Sequence, residues 1–211
     1  MKAPTMQRRD FLMGTGAGAA AALLGAPAVQ AQAQAQAQAQ TNTPYITNTP
    51  NAATLPSELG ADLGNAQLAG TARLRFFGLD VYDARLWVSP GFRSANYADH
   101  ALGLELTYLR ALSGRAIAER SLKEMRRAAT LASDVEQRWL AAMTDAFVDV
   151  KAGDRLTGLH HPTTGARFWL NSQPRASIPD LDFSRLFFGI WLSDRTSEPR
   201  LRADLLARAA P

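Results

Sequence analysis

Hydrophobic and polar positions change their period along the chain, and the changes divide it into elements. Leu68 to Phe77 and Leu79 to Val88 alternate. In the first, Leu74 and Phe76 share one face and Arg73 and Arg75 the other. In the second, Tyr82, Ala84, Leu86 and Val88 oppose Val81, Asp83, Arg85 and Trp87, and Gly78 between the two runs suits a tight connection. Ala101 to Leu109 alternates most clearly, with Leu102, Leu104, Leu106 and Tyr108 on one side and Gly103, Glu105 and Thr107 on the other. A period of two predicts antiparallel strands with one face on a core.

From Gly114 the period lengthens. Ile117, Leu122, Met125 and Ala129 line one side of a predicted helix, with Arg115, Glu119, Arg120, Lys123 and Arg127 mostly outside. Ser133 or Asp134 is expected to cap a second helix carrying Trp139, Leu140, Met143 and Phe147. Strand-like Arg155 to His160 and Ala166 to Asn171 flank Pro162-Thr163-Thr164-Gly165, a hairpin pattern. Next comes the most apolar stretch, Asp180 to Leu192. Its Phe183, Leu186, Phe187, Ile190 and Trp191 form a helical stripe that Phe188 and Leu192 widen, and Asp180 is placed to cap it. Pro199 follows, and then a short arginine-rich helix from Leu201 to Arg208. The order of strands, two helices, a hairpin and two helices predicts an α+β fold, not βαβ repeats. The sheet face with Leu74, Leu86 and Leu104 is expected to cover Phe183–Trp191, with Gly189 at the closest approach of helix to sheet.

Upstream the pattern stops. Ala31 to Gln40 is an Ala-Gln repeat and Thr41 to Thr54 is rich in Asn, Thr and Pro, so residues 32–54 read as a linker and the domain as 55–211. Residues 1–31 read as a twin-arginine export signal: Arg8-Arg9, the Gly/Ala run Gly14 to Leu24, then Val29-Gln30-Ala31 at the cleavage point. That run is shorter than the roughly 20 residues a membrane span needs, so no stable anchor is expected after cleavage and the protein is expected in the periplasm. The chain has no cysteine, which excludes disulfides, iron–sulfur clusters and c-type haem attachment. Its net charge is +4. Losing the signal removes three basic residues and one acidic, leaving +2 with both signs interleaved. No cationic cluster tracks a phosphate backbone, so nucleic-acid binding is not expected.

Tyr82 and Tyr108 share the parity of the apolar strand residues, so their hydroxyls should face the sheet–helix layer and, with Arg110 at the strand end, orient a ligand's head group. Arg73 and Arg75 are on the opposite parity, as a solvated face or an anion ladder. Trp87 and Trp169, near Arg85 and Arg167, share that outer parity and are candidates for a partner surface, although no partner is identifiable. His160-His161 point to opposite sides of an extended segment and lack HExxH-type spacing, so neither a metal nor a cofactor is expected. Signatures of serine hydrolases, P-loop enzymes and dinucleotide folds are absent.

Four segments together carry a family resemblance: Gly70 to Tyr82, Leu106 to Gly114, Val150 to Asp154, and Phe187-Phe-Gly-Ile-Trp-Leu192 with Pro199 to Leu206. In order and spacing they resemble the exported bacterial chalcone isomerase-like group, over Leu68 to Leu206. The resemblance implies an open-faced β-sandwich, an antiparallel sheet with helices over one face. Active plant members close chalcones to flavanones, as intramolecular lyases, while others bind fatty acids in the sheet–helix cleft without catalysis. The active enzymes' threonine falls on Phe77, their tyrosine on Ile117, their asparagine on Glu124 and their arginine near Asn65. Phe and Ile cannot orient a phenolate or a water, so the resemblance implies an exported, non-catalytic protein that holds a small apolar ligand, a fatty acid or an aromatic. A rewired intramolecular lyase and a periplasmic interaction module using the tryptophan face are the alternatives.

Overall fold

A computed structural model describes residues 53–211; the expected signal, and nearly all of the expected linker, lie outside the described residues. A 3-10 turn, Ser57–Leu59, runs into α1 (Gly60–Leu63). The strands are β1 (Gln67–Phe76), β2 (Leu79–Val88), β3 (Leu102–Tyr108), β4 (Arg155–His161), β5 (Gly165–Leu170) and β6 (Gln173–Ile178). The longer helices are α2 (Gly114–Ala128), α3 (Ser133–Ala146), α4 (Leu181–Leu192) and α5 (Pro199–Leu205). The strands form one antiparallel sheet in chain order, and α2 to α5 pack on one of its faces, which is the expected α+β open-faced architecture.

Both outermost hairpins use two-residue turns whose left-handed backbone suits the twist of the strands. Phe76 pairs with Leu79 across Phe77 and Gly78, at φ 48° and 77°. Leu170 pairs with Gln173 across Asn171 and Ser172, at φ 50° and 66°. A bulky side chain in this region costs about 1–2 kcal/mol, so Phe77 is held there against its own preference. The second turn leads into β6, which periodicity does not predict. Its Gln173-Pro174-Arg175 start lacks alternation, and proline is tolerated because β6 is an edge strand with a register shift at that point.

Asp180 caps α4 as expected, accepting from Phe183 N at 2.9 Å, and also accepts from Trp139 Nε1 at 2.8 Å, tying α3 to α4. The expected cap of α3 is corrected. Ala132 occupies that position without a side-chain bond, and Ser133 and Asp134 belong to the first turn, where the acid faces the positive helix end. Phe183, Phe187 and Phe188 pack with Phe147, Phe168 and Trp139, mostly edge to face. The ring of Phe188 lies on Gly158 of β4, where a Cβ would stand 3.1 Å away. That is the close approach of helix to sheet. Gly189, expected in this role, instead faces Tyr97: a Cβ there would meet the tyrosine hydroxyl at 2.6 Å.

The other sheet face is not open at its centre. Leu59 seats on Gly103, and with Leu63 it covers Leu159 and both outer-face tryptophans. Trp87 is 2% exposed and Trp169 9%. The expected partner surface is therefore corrected: burying these rings under α1 gains more than leaving them in water, and they are unavailable to a partner. Polar contacts fasten the strap. Glu58 accepts from Thr157 at 2.8 Å and pairs with Arg155 at 3.1 Å, while Asp62 pairs with Arg167. Burial alone would raise the Glu58 carboxyl, but its own backbone N–H, Thr157 and Arg155 hold it below the ordinary range.

His160 is buried against α4, and His161 beside it is half-buried. Because the Ala98 carbonyl can only accept, the His160 Nε2–H donates to it at 2.9 Å, and Nδ1 accepts from the Ser184 hydroxyl at 2.6 Å. Both ring nitrogens are occupied, as in a satisfied core histidine. Desolvation lowers its pKa below the ordinary value, with a smaller push from His161. At the edge of β1, Arg208 N donates to Ala69 O at 2.8 Å, and the end of α5 lies against Gly70.

Two outcomes are expected. Leu59→Ala should cost about 2–5 kcal/mol in urea denaturation and open Trp87 and Trp169 to iodide quenching; unchanged quenching would show that the strap does not protect them. For His160 the folded pKa is depressed, so its contribution to stability is complete above about 6.5 and is lost as pH falls from there through the folded value. Between those values the unfolded chain takes up the proton first, with a slope of up to about 1.4 kcal/mol per pH unit. Denaturation midpoints from pH 7 to 5, measured as a check, should fall less steeply for His160→Asn than for the wild type.

Candidate functional site

The helical layer covers the sheet unevenly. α4 lies on β4 and β5, α5 on β1 and β2, and α2 packs chiefly on α3 and α4. Between α2 and the β1–β3 end of the sheet is a cavity of about 410 Å³. Leu74, Val81, Leu106 and Leu156 line its sheet side, Phe187, Ile190 and Trp191 its α4 side, and Leu112, Ile117 and Leu201 much of the remainder. The cavity thus lies at the Trp191 end of the Phe183–Trp191 face, while the Phe183 end is packed solid.

A bulge shapes its sheet wall. Leu74 pairs with Tyr82 and Arg75 with Asp80, leaving Val81 without a partner in β1. The extra residue breaks the alternation, so Val81 joins Tyr82 in the cavity wall, against the strict parity expected for it. It also places Asp80 and Asp83 on the same outer side. Arg73 bonds Asp83 at 2.6 and 2.8 Å and Asp80 at 2.9 Å, and Arg75 bonds Asp80 at 2.6 Å. The hydrogen bond from Arg75, then Arg73, holds the Asp80 carboxyl below its usual range. Arg73 and Arg75 are thus a surface ion-pair cluster away from the cavity, with their guanidiniums already engaged.

Tyr82, Tyr108 and Arg110 come together in the cavity lining. The tyrosine rings meet edge to face at 6.0 Å. Trp191 Nε1 donates to the Tyr82 hydroxyl at 2.9 Å. Tyr108 is 2% exposed and lines the cavity, and no hydrogen bond to its hydroxyl is made among the described residues. Burial pushes both phenols upward, so they are neutral donors at physiological pH and not phenolate bases. Arg110 is exposed at the end of the strand, and no carboxylate among the described residues lies within 4.0 Å of it. One end of an apolar space therefore offers a free hydroxyl and a free guanidinium.

Three further lining residues stand where the resemblance places catalytic side chains: Phe77, Ile117 and Glu124. Asn65, the fourth, is exposed before β1 and outside the lining. Glu124 is 8% exposed and pairs with Arg120 at 2.8 Å and with Arg127 at 3.6 Å. Ser121 donates to the Ile117 carbonyl and is spent. Among the described residues, neither a proton relay nor a set of oxyanion donors of the kind ring closure requires is assembled at these positions. Sequence patterning missed Arg120 and the Trp191–Tyr82 bond. The helical spacing of Ile117, Arg120, Ser121 and Glu124 places them on one side of α2, but only the fold shows that this side faces space. Phe76, Phe77 and Leu79 form the rim, 45%, 88% and 53% exposed.

The model of a family described as chalcone isomerase-like matches residues 49–207. No curated protein matches in sequence. Among solved structures, the crystal structure of a fatty-acid-binding protein from Arabidopsis thaliana is similar at a TM-score of 0.51, covering 67% of this chain and 86% of that one. At 12% identity the likeness concerns the fold. With the family model spanning most of the sequence and the open-faced sheet in place, the chain belongs to the chalcone isomerase-like family.

Proposed function

We propose that the protein is a non-catalytic carrier of a small apolar ligand with a polar end, a fatty acid in the first instance, held between α2, α4 and the β1–β3 end of the sheet. The observation that carries this reading is the free Tyr108 hydroxyl, in a residue almost wholly buried, beside an apolar cavity of about 410 Å³. That volume is within the roughly 300–1,000 Å³ of small-molecule sites. Each methylene moved from water into it contributes about 0.8 kcal/mol, while Tyr108 and Arg110 satisfy the carboxylate. The likeness to a fatty-acid-binding protein supports the same reading, and the mismatch at Phe77 and Ile117 supports the absence of catalysis.

Displacement of a fluorescent fatty acid tests it. Affinity should rise with chain length until the cavity is full. Tyr108→Phe should weaken binding about tenfold or more, the loss of one hydrogen bond to a charged group. Ile117→Trp should abolish binding with the circular dichroism spectrum intact. Failure of every chain length to bind would sink the reading. A loss of chalcone absorbance faster than in buffer would replace it with a rewired lyase.

The proposal also includes export to the periplasm with cleavage near Ala31, supported by Arg8-Arg9 ahead of the Gly14–Leu24 run. Mass spectrometry of the periplasmic fraction should find a chain starting near Gln32, and replacing both arginines with lysine should retain the uncleaved form inside. A full-length chain in the periplasm would contradict cleavage.

A further inference from the structure

The cavity rim has a composition that folding does not require. Phe77 is almost fully exposed and holds a left-handed backbone at φ 48°, in a turn where Asn or Gly would be at ease. Its ring meets that of Phe76 at a centroid distance of 4.4 Å, and Leu79 is exposed across the same turn. Three large apolar side chains thus project together at the mouth of an apolar cavity.

Cations flank them. The Arg120 guanidinium lies over the Phe76 ring at 5.4 Å. Lys123 and Arg127, also exposed, follow at the i+3 and i+7 positions on the same side of α2. Arg110 is exposed just beyond β3, without an ion-pair partner among the described residues. The acids near this rim are already balanced or recessed: Asp80, beside Leu79, is held by Arg73 and Arg75, Glu124 is buried and paired with Arg120 and Arg127, and Glu198 is half-buried in the cavity wall. An apolar tip inside a collar of exposed cations is complementary to an anionic phospholipid bilayer, with headgroups for the collar and acyl chains for the tip.

We propose that the β1–β2 hairpin tip docks the protein onto anionic phospholipid membranes and sets the cavity mouth against the acyl layer. The docking rests on the tip and collar alone; that the cavity then exchanges its ligand with the bilayer rests on the carrier reading above.

Flotation of the ligand-free protein with phosphatidylcholine vesicles, with and without phosphatidylglycerol, separates the two. The wild type is expected to bind the anionic vesicles, and to bind less as salt rises. Phe77→Ser should lower partitioning about tenfold, from the lost burial of one aromatic side chain. Lys123→Gln and Arg127→Gln, which lie outside the cavity lining, should each lower it about fivefold, as expected of one surface cation. Their fatty-acid affinity in free solution should be unchanged. Partitioning unaffected by all three substitutions would overturn docking whatever the cavity holds. So would a Phe77-dependent dimer in sedimentation velocity without vesicle binding, since the tip would then serve a second copy of the chain. Docking without any fatty-acid affinity would keep this inference and remove the carrier reading instead.

Discussion

The spacing between α4 and the sheet depends on one contact, the ring of Phe188 lying on Gly158. A helix as apolar as α4 needs to be covered on several sides, and it can sink onto the sheet only where a strand has no side chain. That contact fixes α4 over β4 and β5. The rest of the layer hangs from it, with α3 through the shared Asp180 cap and Trp139, and α2 through its packing on α3 and α4. At the β1 edge Gly70 admits the end of α5, and between that contact and Gly158, under α2, the layers part. The cavity follows from where the sheet lacks a Cβ and where it does not.

The two ends of the sheet–helix layer are accordingly different materials. One is a packed aromatic cluster with a histidine satisfied on both nitrogens. The other is an apolar space with hydroxyl and guanidinium groups at its edge. Chemistry that moves protons needs groups whose pKa values lie near neutrality, and burial drives the two cavity phenols the other way. What the space offers is shape, apolar area and a few hydrogen bonds, which suit retention of a molecule better than its conversion.

Much of this was legible before the fold was known. Alternation places Tyr82 and Tyr108 on the inner face, and the three-four spacing defines α4 together with its cap at Asp180. The failures have physical causes. For Trp87 and Trp169, parity identifies a face without saying what covers it. The cover is a strap of two short turns, whose Leu59 and Leu63 are too few to register as a period. Strand β6 was hidden by Pro174. Val81 changed sides at a bulge, an insertion invisible to any count of two. The cavity, above all, is a property of spacing between elements, and no local pattern encodes it.

The edges of the sheet bear on how the protein behaves at high concentration. An unpaired strand edge is a template for another chain's backbone, and long exposed ones seed aggregation. Here β6 opens on a proline that cannot donate, and β1 is occupied near Ala69 by the backbone of the C-terminal tail. Further along β1 the ladder is distorted by the bulge and bordered by Arg73 and Arg75, which resist flat stacking. Backbone extension is therefore hindered on both sides, by different means. Contacts between copies are then left to side chains, which water and salt can reverse, a restriction that matters for a fold with an apolar cavity mouth.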